Sequence, residues 1–197
     1  VLMDTSMEGF SKGKSSKYTN GEEWCALYFD NVFIPKENVL LGPGGFKKQI
    51  AGFNAERIGN TARSLAVGEF AYNLAKEYAL SREQFGKKIQ DFQSIQFKLA
   101  DMATELEASR LMLRSAAAKV DENAPDKTKS AAMAKRFVTD LGFKIVNEAL
   151  QIHGGYGYLK DYPLERNLRD VRVHQILEGT NEIMKVIISR EILKENK

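Results

Sequence analysis

From residue 46 onward, apolar residues recur at helical spacing in four long stretches. Residues 47–80 carry Phe53, Ile58, Leu65, Ala66, Phe70, Leu74 and Tyr78; residues 92–120 carry Ile95, Leu99, Met102, Leu106, Leu111 and Leu113. After a turn over residues 121–125 (DENAP), a third stretch to residue 152 carries Met133, Phe137, Leu141, Ile145 and Leu150. A fourth, residues 181–193, carries Ile183, Met184, Ile187, Ile188 and Ile192. Helices of this length joined by short turns predict an antiparallel helical bundle, with the apolar stripes as its core. Residues 1–44 read differently. Two short β-type runs, residues 26–29 (ALYF) and 31–34 (NVFI), lie among polar and Gly-containing turns at residues 12–17 (KGKSSK) and 19–22 (TNGE), and Pro35 ends the last run. Gly42-Pro43-Gly44-Gly45 punctuates the boundary. The expected fold is mainly α, a helical bundle over residues 45–197 preceded by part of a β-domain over residues 1–44. That first segment is too short to close a sheet of its own, so further strands are expected upstream.

Composition narrows the class. In a chain of 197 residues, 43% hydrophobic and 28% charged content is that of a globular protein and excludes a mainly disordered one. No apolar run is long enough to span a bilayer, and Val1-Leu2-Met3 is followed at once by Asp4, unlike a secretory leader. The start at Val1 rather than Met reads as a processed or excised chain. A net charge of +3 is too small to argue for nucleic acid. Cys25 is the only cysteine, which excludes an internal disulfide and fits a reducing interior; no Cys/His cluster has metal-ligand spacing.

Three segments place Gly, aromatic and charged residues at helix ends, where ligands bind. They are residues 78–87 (YALSREQFGK), 151–158 (QIHGGYGY) and 175–183 (QILEGTNEI). Each has an ordinary structural reading: a surface Arg, a core Phe, a turn-forming Gly pair, and an early-helix acid favoured by the helix dipole with Thr180 as its cap.

Taken together, Arg82-x-x-Phe85-Gly86, Gln93 at the next helix start, Gln151-x-His153-Gly154-Gly155 and Glu178-Gly179-Thr180-Asn181-Glu182 occur in an order and spacing that resembles the C-terminal half of acyl-CoA dehydrogenases. The resemblance covers essentially the whole chain. It implies that residues 1–44 are the second half of the family's middle β-domain and that an N-terminal helical domain precedes Val1. The implied reaction removes a proton from Cα of an acyl thioester while a hydride leaves Cβ for the N5 atom of FAD, giving a trans-2-enoyl-CoA. Such chemistry needs a carboxylate base and a stabiliser for the developing enolate oxygen.

The resemblance assigns the base to Glu178, with Glu56 in reserve, because in some branches the base comes from that earlier position. Arg82, Phe85, Gln93, Gln151, Ile152, His153, Gly154 and Gly155 are implied to hold the adenosine and pyrophosphate half of a neighbouring subunit's FAD. Thr180, Asn181 and Glu182 match further FAD contacts. Asn54, Arg57, Gly179 and Arg190 match positions near the acyl-CoA substrate. His153 reads as part of the FAD loop rather than as an acid or base. The implied assembly is a homo-oligomer, a dimer of dimers, passing electrons to an electron-transfer flavoprotein in the bacterial cytoplasm or the mitochondrial matrix. The segment around Glu178 looks closest to enzymes of short and branched short-chain acyl groups. Two rivals stand beside this reading: an enoyl-CoA reductase or acyl-CoA oxidase of the same fold, and a helical assembly module without a flavin domain.

Overall fold

The computed structural model describes residues 1–194. The chain divides into two compact units, Val1–Gly52 and Phe53–Lys197.

In the first unit, β1 (Phe10–Lys12) pairs antiparallel with β4 (Leu27–Phe29), with Phe10 opposite Phe29. Between them β2 (Ser16–Lys17) pairs with β3 (Glu23–Trp24), and Tyr18 stacks on Trp24 with ring centroids 6.1 Å apart. These are narrow ribbons without a buried core: Tyr28, Phe29 and Phe33 are all more than half exposed. Two local expectations need correction. Residues 12–17 are not simply a turn, since Ser16 and Lys17 form β2. Residues 31–34 are not a strand, because Asn31 adopts φ +49°, a left-handed conformation that breaks the extended run; Asn tolerates it where a β-branched residue does not.

The second unit is helical. The long helix α1 (Gly45–Ser81) enters it, and a small hairpin of β5 (Glu83–Gln84) and β6 (Lys87–Lys88) follows. Helix α2 (Gln93–Asp121) leads into α3 (Lys127–His153), then α4 (Leu164–Arg172) and α5 (Asn181–Lys194). Ala71, Ala75 and Ala79 of α1 pack with Met102 and Leu106 of α2, Ile145, Val146 and Ala149 of α3, and Leu164 and Val171 of α4. The core face of α1 mixes part of the bulky stripe with small residues: Leu65 is in the core and Leu74 and Tyr78 pack against it, whereas Phe70 is half exposed and Thr61, Ser64 and Gly68 are buried. This lets α1 and α3 approach closely. A Cβ on Gly142 would stand 2.3 Å from Ser64 Oγ and 3.0 Å from the Ser64 carbonyl oxygen, so only glycine fits at that crossing.

Candidate active site

Helix α4 runs out at Arg172 into a 3₁₀ turn, Val173–Gln175, and the chain must then reverse to start α5. Two consecutive left-handed residues make that reversal: Glu178 at φ +57° and Gly179 at φ +94°. For a glutamate this conformation costs on the order of 1–2 kcal/mol, so the surroundings must hold it.

Buried side chains from α1 and α3 take three successive carbonyls of the turn. The Asn60 amide donates to Leu177 O at 3.3 Å and to His174 O at 3.0 Å. Arg57 Nε donates to Glu178 O at 3.4 Å, and Lys135 Nζ donates to Gly179 O at 2.8 Å. Among the described residues the Glu178 N–H donates to no other group. The Glu178 side chain is partly buried.

The holding groups are themselves held. Arg57 donates through Nη1 to Asn54 Oδ1 at 3.0 Å, and Asn54 donates to Thr128 Oγ1 at 3.0 Å. Burial lowers the proton affinity of Arg57, and the charge of Glu178 partly restores it. Because Asn60 uses its amide N–H groups on carbonyls, its Oδ1 is the acceptor for His174, whose Nδ1 therefore carries the proton. Burial, with Arg63 and Lys135 adding to it, pushes His174 below its ordinary value and keeps it neutral at pH 7. Lys135 is fully buried, and burial pushes its ammonium down to about 8.

Helix α5 opens with Thr180 Oγ1 accepting from the Ile183 N–H at 3.4 Å, a helix cap. Asn181 turns its side chain inward, accepting from Lys135 at 2.8 Å and donating to Asp140 Oδ1 at 2.7 Å; only its backbone is left for a ligand. Glu182 and Arg190 are exposed along the same helix, and Glu56, the reserve base, is exposed on α1 beside Arg57.

A second cluster forms where α3 ends. Arg82, Ile152, His153, Gly154 and Gly155 line one open cavity of about 390 Å³, together with Tyr78 and Tyr156. The Arg82 guanidinium lies 5.3 Å from the centroid of the Tyr156 ring. His153 is an internal part of this wall: its ring stacks on Tyr78 at 4.2 Å and Nδ1 meets Ala149 O at 2.9 Å. Burial pushes His153 down, so it is neutral at pH 7. Phe85 is outside the lining, 91% exposed at the tip of the β5–β6 hairpin, and Gln93 and Gln151 are exposed nearby in sequence at helix ends. The two clusters belong to opposite parts of α3. Lys135 and His153 are 18 residues apart on that helix, about 27 Å at 1.5 Å per residue.

Residues 43–193 match the acyl-CoA dehydrogenase C-terminal domain. The chain belongs to the acyl-CoA dehydrogenase family. It is 43% identical to mitochondrial isobutyryl-CoA dehydrogenase of Bos taurus over 198 residues, covering 99% of this chain and 48% of that protein. It is 42% identical to the acryloyl-CoA reductase (NADH) of Anaerotignum propionicum over 197 residues, covering 98% of this chain and 50% of that one. The solved butyryl-CoA dehydrogenase of Megasphaera elsdenii superimposes with a TM-score of 0.90 at 39% identity, over 97% of this chain and 50% of that chain. The chain thus spans about half the length of these family members.

Lys135, Asn60, His174 and Asp140 escaped the motif reading. A signal for Lys135 does exist in the sequence: it occupies the stripe of Ala131, Val138 and Gly142, the buried face of α3, where a lysine is out of place.

Proposed function

We propose that this chain is the base-carrying half of an FAD-dependent acyl-CoA dehydrogenase. The substrate would be a short or branched short-chain acyl-CoA, converted to its trans-2-enoyl-CoA. Residues 1–44 would complete a middle β-domain, and residues 45–197 would form the C-terminal helical domain.

The observation that carries this reading is the Glu178 turn. A carboxylate removes an α-proton usefully only if it is held at the reacting carbon, because a misplacement of about 1 Å costs on the order of a hundredfold in rate. Three carbonyls fixed by Asn60, Arg57 and Lys135 supply that rigidity. The free Glu178 N–H is a donor suited to the thioester oxygen, where enolate charge develops. Glu178 would take the α-proton, while Asn54, Arg57, Gly179 and Arg190 contribute to the substrate's surroundings and Glu56 stands as the alternative base.

The residues at the second cluster fit a dinucleotide. Arg82 offers a guanidinium for a pyrophosphate, and nothing stands within 4 Å of where a Cβ would be at Gly154 or Gly155, so a ligand can approach their backbone. Arg82, Phe85, Gln93 and Gln151 to Gly155 would hold the adenosine and pyrophosphate half of FAD, and the backbone of Thr180, Asn181 and Glu182 would meet FAD at the other site. Bound FAD supplies the acceptor for the hydride leaving Cβ. The separation of about 27 Å along α3 supports the idea that one chain's two clusters serve two different FAD molecules, as a homo-oligomer would require. Exposed Phe70, Phe97, Leu111 and Val186 would suit such an assembly, a dimer of dimers. Reoxidation would fall to an electron-transfer flavoprotein, in the bacterial cytoplasm or the mitochondrial matrix.

A second reading, enoyl-CoA reduction, draws support from a relative named as an acryloyl-CoA reductase being as similar as one named as a dehydrogenase. The same Glu178 would then deliver the proton to Cα, by microscopic reversibility. Titrating the full-length FAD-loaded protein with a panel of acyl-CoAs tests the choice. Bleaching of the flavin absorbance by short or branched acyl-CoA, with electrons passed on to an electron-transfer flavoprotein, supports dehydrogenation. No bleaching by any acyl-CoA, with NADH-driven loss of an enoyl-CoA, supports reduction.

A further inference from the structure

Resting on the reading of Glu178 as the base, we propose that Lys135 is the residue that positions it: its buried ammonium, gripping Gly179 O and the Asn181 side chain, locks the turn in which Glu178 is presented.

Lys135 is the largest fully buried side chain of the described chain, with no exposure. Burying an ammonium is costly, and an apolar side chain of similar volume would pack there without that cost. The ammonium is spent on the turn. It donates to Gly179 O and to Asn181 Oδ1, each at 2.8 Å, immediately after Glu178. Asn181 passes the grip on to Asp140 Oδ1 at 2.7 Å, and Asp140 Oδ1 also accepts from Gln175 Nε2 at 2.7 Å, three residues before Glu178. A short stretch of α3, Lys135 to Asp140, therefore holds the chain on both sides of the base. Lys135 acts through the backbone, since its donated bonds go to Gly179 and Asn181 rather than to the Glu178 carboxylate. Holding two successive residues at positive φ is the task such a clamp performs.

Charged and titratable groups face Lys135 from the elements around it: Asp140 on its own helix, Arg57 on α1, Glu182 on α5, Glu178 in the turn, and the His174 imidazole in the 3₁₀ turn before it. The carboxylates favour the ammonium and Arg57 opposes it, while burial dominates and brings its titration to about 8. Above that pH the neutral amine keeps hydrogen bonds but loses their charge-assisted strength.

The test uses full-length holoenzyme and 3-thiabutyryl-CoA, in which sulfur replaces Cβ so that no hydride can leave. Exchange of its α-protons for deuterium from D₂O then reads the proton step alone. In Lys135→Met the exchange rate should fall on the order of tenfold to a hundredfold, while the Kd of 3-thiabutyryl-CoA and the bound flavin stay as in wild type. The wild-type rate should also fall as pH passes about 8, and this limb should be absent in the variant. Undiminished exchange in a flavin-loaded Lys135→Met protein would overturn the assignment. Should that variant lose its flavin, the wild-type profile decides: a rate flat between pH 7 and about 9.5 overturns it as well. Glu178→Gln is the companion control. If Glu178→Gln still exchanges, the base reading itself has failed; if it does not and Lys135→Met does, only the role of Lys135 is lost.

Discussion

Arg57 and Glu178 meet through the backbone of the glutamate: Arg57 Nε donates to Glu178 O at 3.4 Å, while its Nη1 is taken by Asn54 at 3.0 Å. A buried guanidinium committed to a carbonyl and an amide fixes where the main chain of the base lies and leaves the carboxylate uncommitted to it. Arg57→Met should leave Glu178 O and Asn54 Oδ1 without their donor in a buried setting, each unsatisfied group costing about 1–3 kcal/mol. We expect a lower Tm and a large drop in kcat for acyl-CoA oxidation by the full-length enzyme. An unchanged Tm together with wild-type kcat would show that the contact carries no weight.

The glycine after the base is constrained twice. At φ +94° any side chain is strained, and a Cβ there would stand 2.8 Å from Met184 Cε, the end of a flexible side chain that can yield. The strain therefore dominates, at about 1–3 kcal/mol. Gly179→Ala should lower the unfolding free energy obtained from urea titration by that amount and reduce kcat more than it raises KM, because the alanine shifts the turn that presents Glu178.

Arg82 tests the second cluster separately. Removing a charge-assisted donor to a phosphate costs about 1.5–3 kcal/mol, so Arg82→Met should weaken FAD binding roughly tenfold to a hundredfold in reconstitution titrations. Turnover at saturating FAD should be largely restored. Unaltered FAD affinity would remove Arg82 from the cofactor site.

Lys135 also predicts how stability responds to pH. Its folded-state titration, about 8, is below the ordinary value of 10.5. Below pH 8 the ammonium is charged in both states and the cost of burying it is fully present; between 8 and 10.5 the unfolded chain binds more protons, so stability rises with pH. Relative to Lys135→Met, wild type should therefore gain stability between pH 7.5 and 9.5, measured by urea unfolding of both proteins. A difference that does not change with pH would mean that the lysine is not desolvated as described.

Much of this was legible in the chain itself. The stripes of α2, α3 and α5 fall within a residue or two of the observed helices, because long amphipathic runs between DENAP-type turns admit few other readings. Helix α4 was missed although Leu164, Leu168 and Val171 recur at i, i+4 and i+7: the element has only nine residues, and Glu165, Arg166, Arg169, Asp170 and Arg172 make most of it charged. The stripes were a poorer guide to burial: on α1 Leu65, Leu74 and Tyr78 do face the core, but close helix crossing also selects Ser64, Gly68 and Ala71 for the interior and leaves Phe70 half exposed, and Leu111, Met133, Ile183 and Ile192 are exposed on their helices. At the site, Glu178 and Gly179 stood out as neighbours, but Lys135 is 44 residues from the carbonyl it holds, and only the fold brings them together. Asn181 shows the limit of matching by position: the residue is where the motif puts it, yet its side chain faces Lys135 and Asp140.

The most direct test of the account replaces each candidate carboxylate in the full-length flavoprotein and follows α-proton exchange and turnover on the same acyl-CoA. Glu178→Gln should retain bound FAD and acyl-CoA affinity while turnover falls by a factor on the order of a hundred or more, as expected for loss of a positioned general base. Glu56→Gln should remain active. Full activity in Glu178→Gln, with loss in Glu56→Gln, would contradict the assignment and move the chemistry to α1.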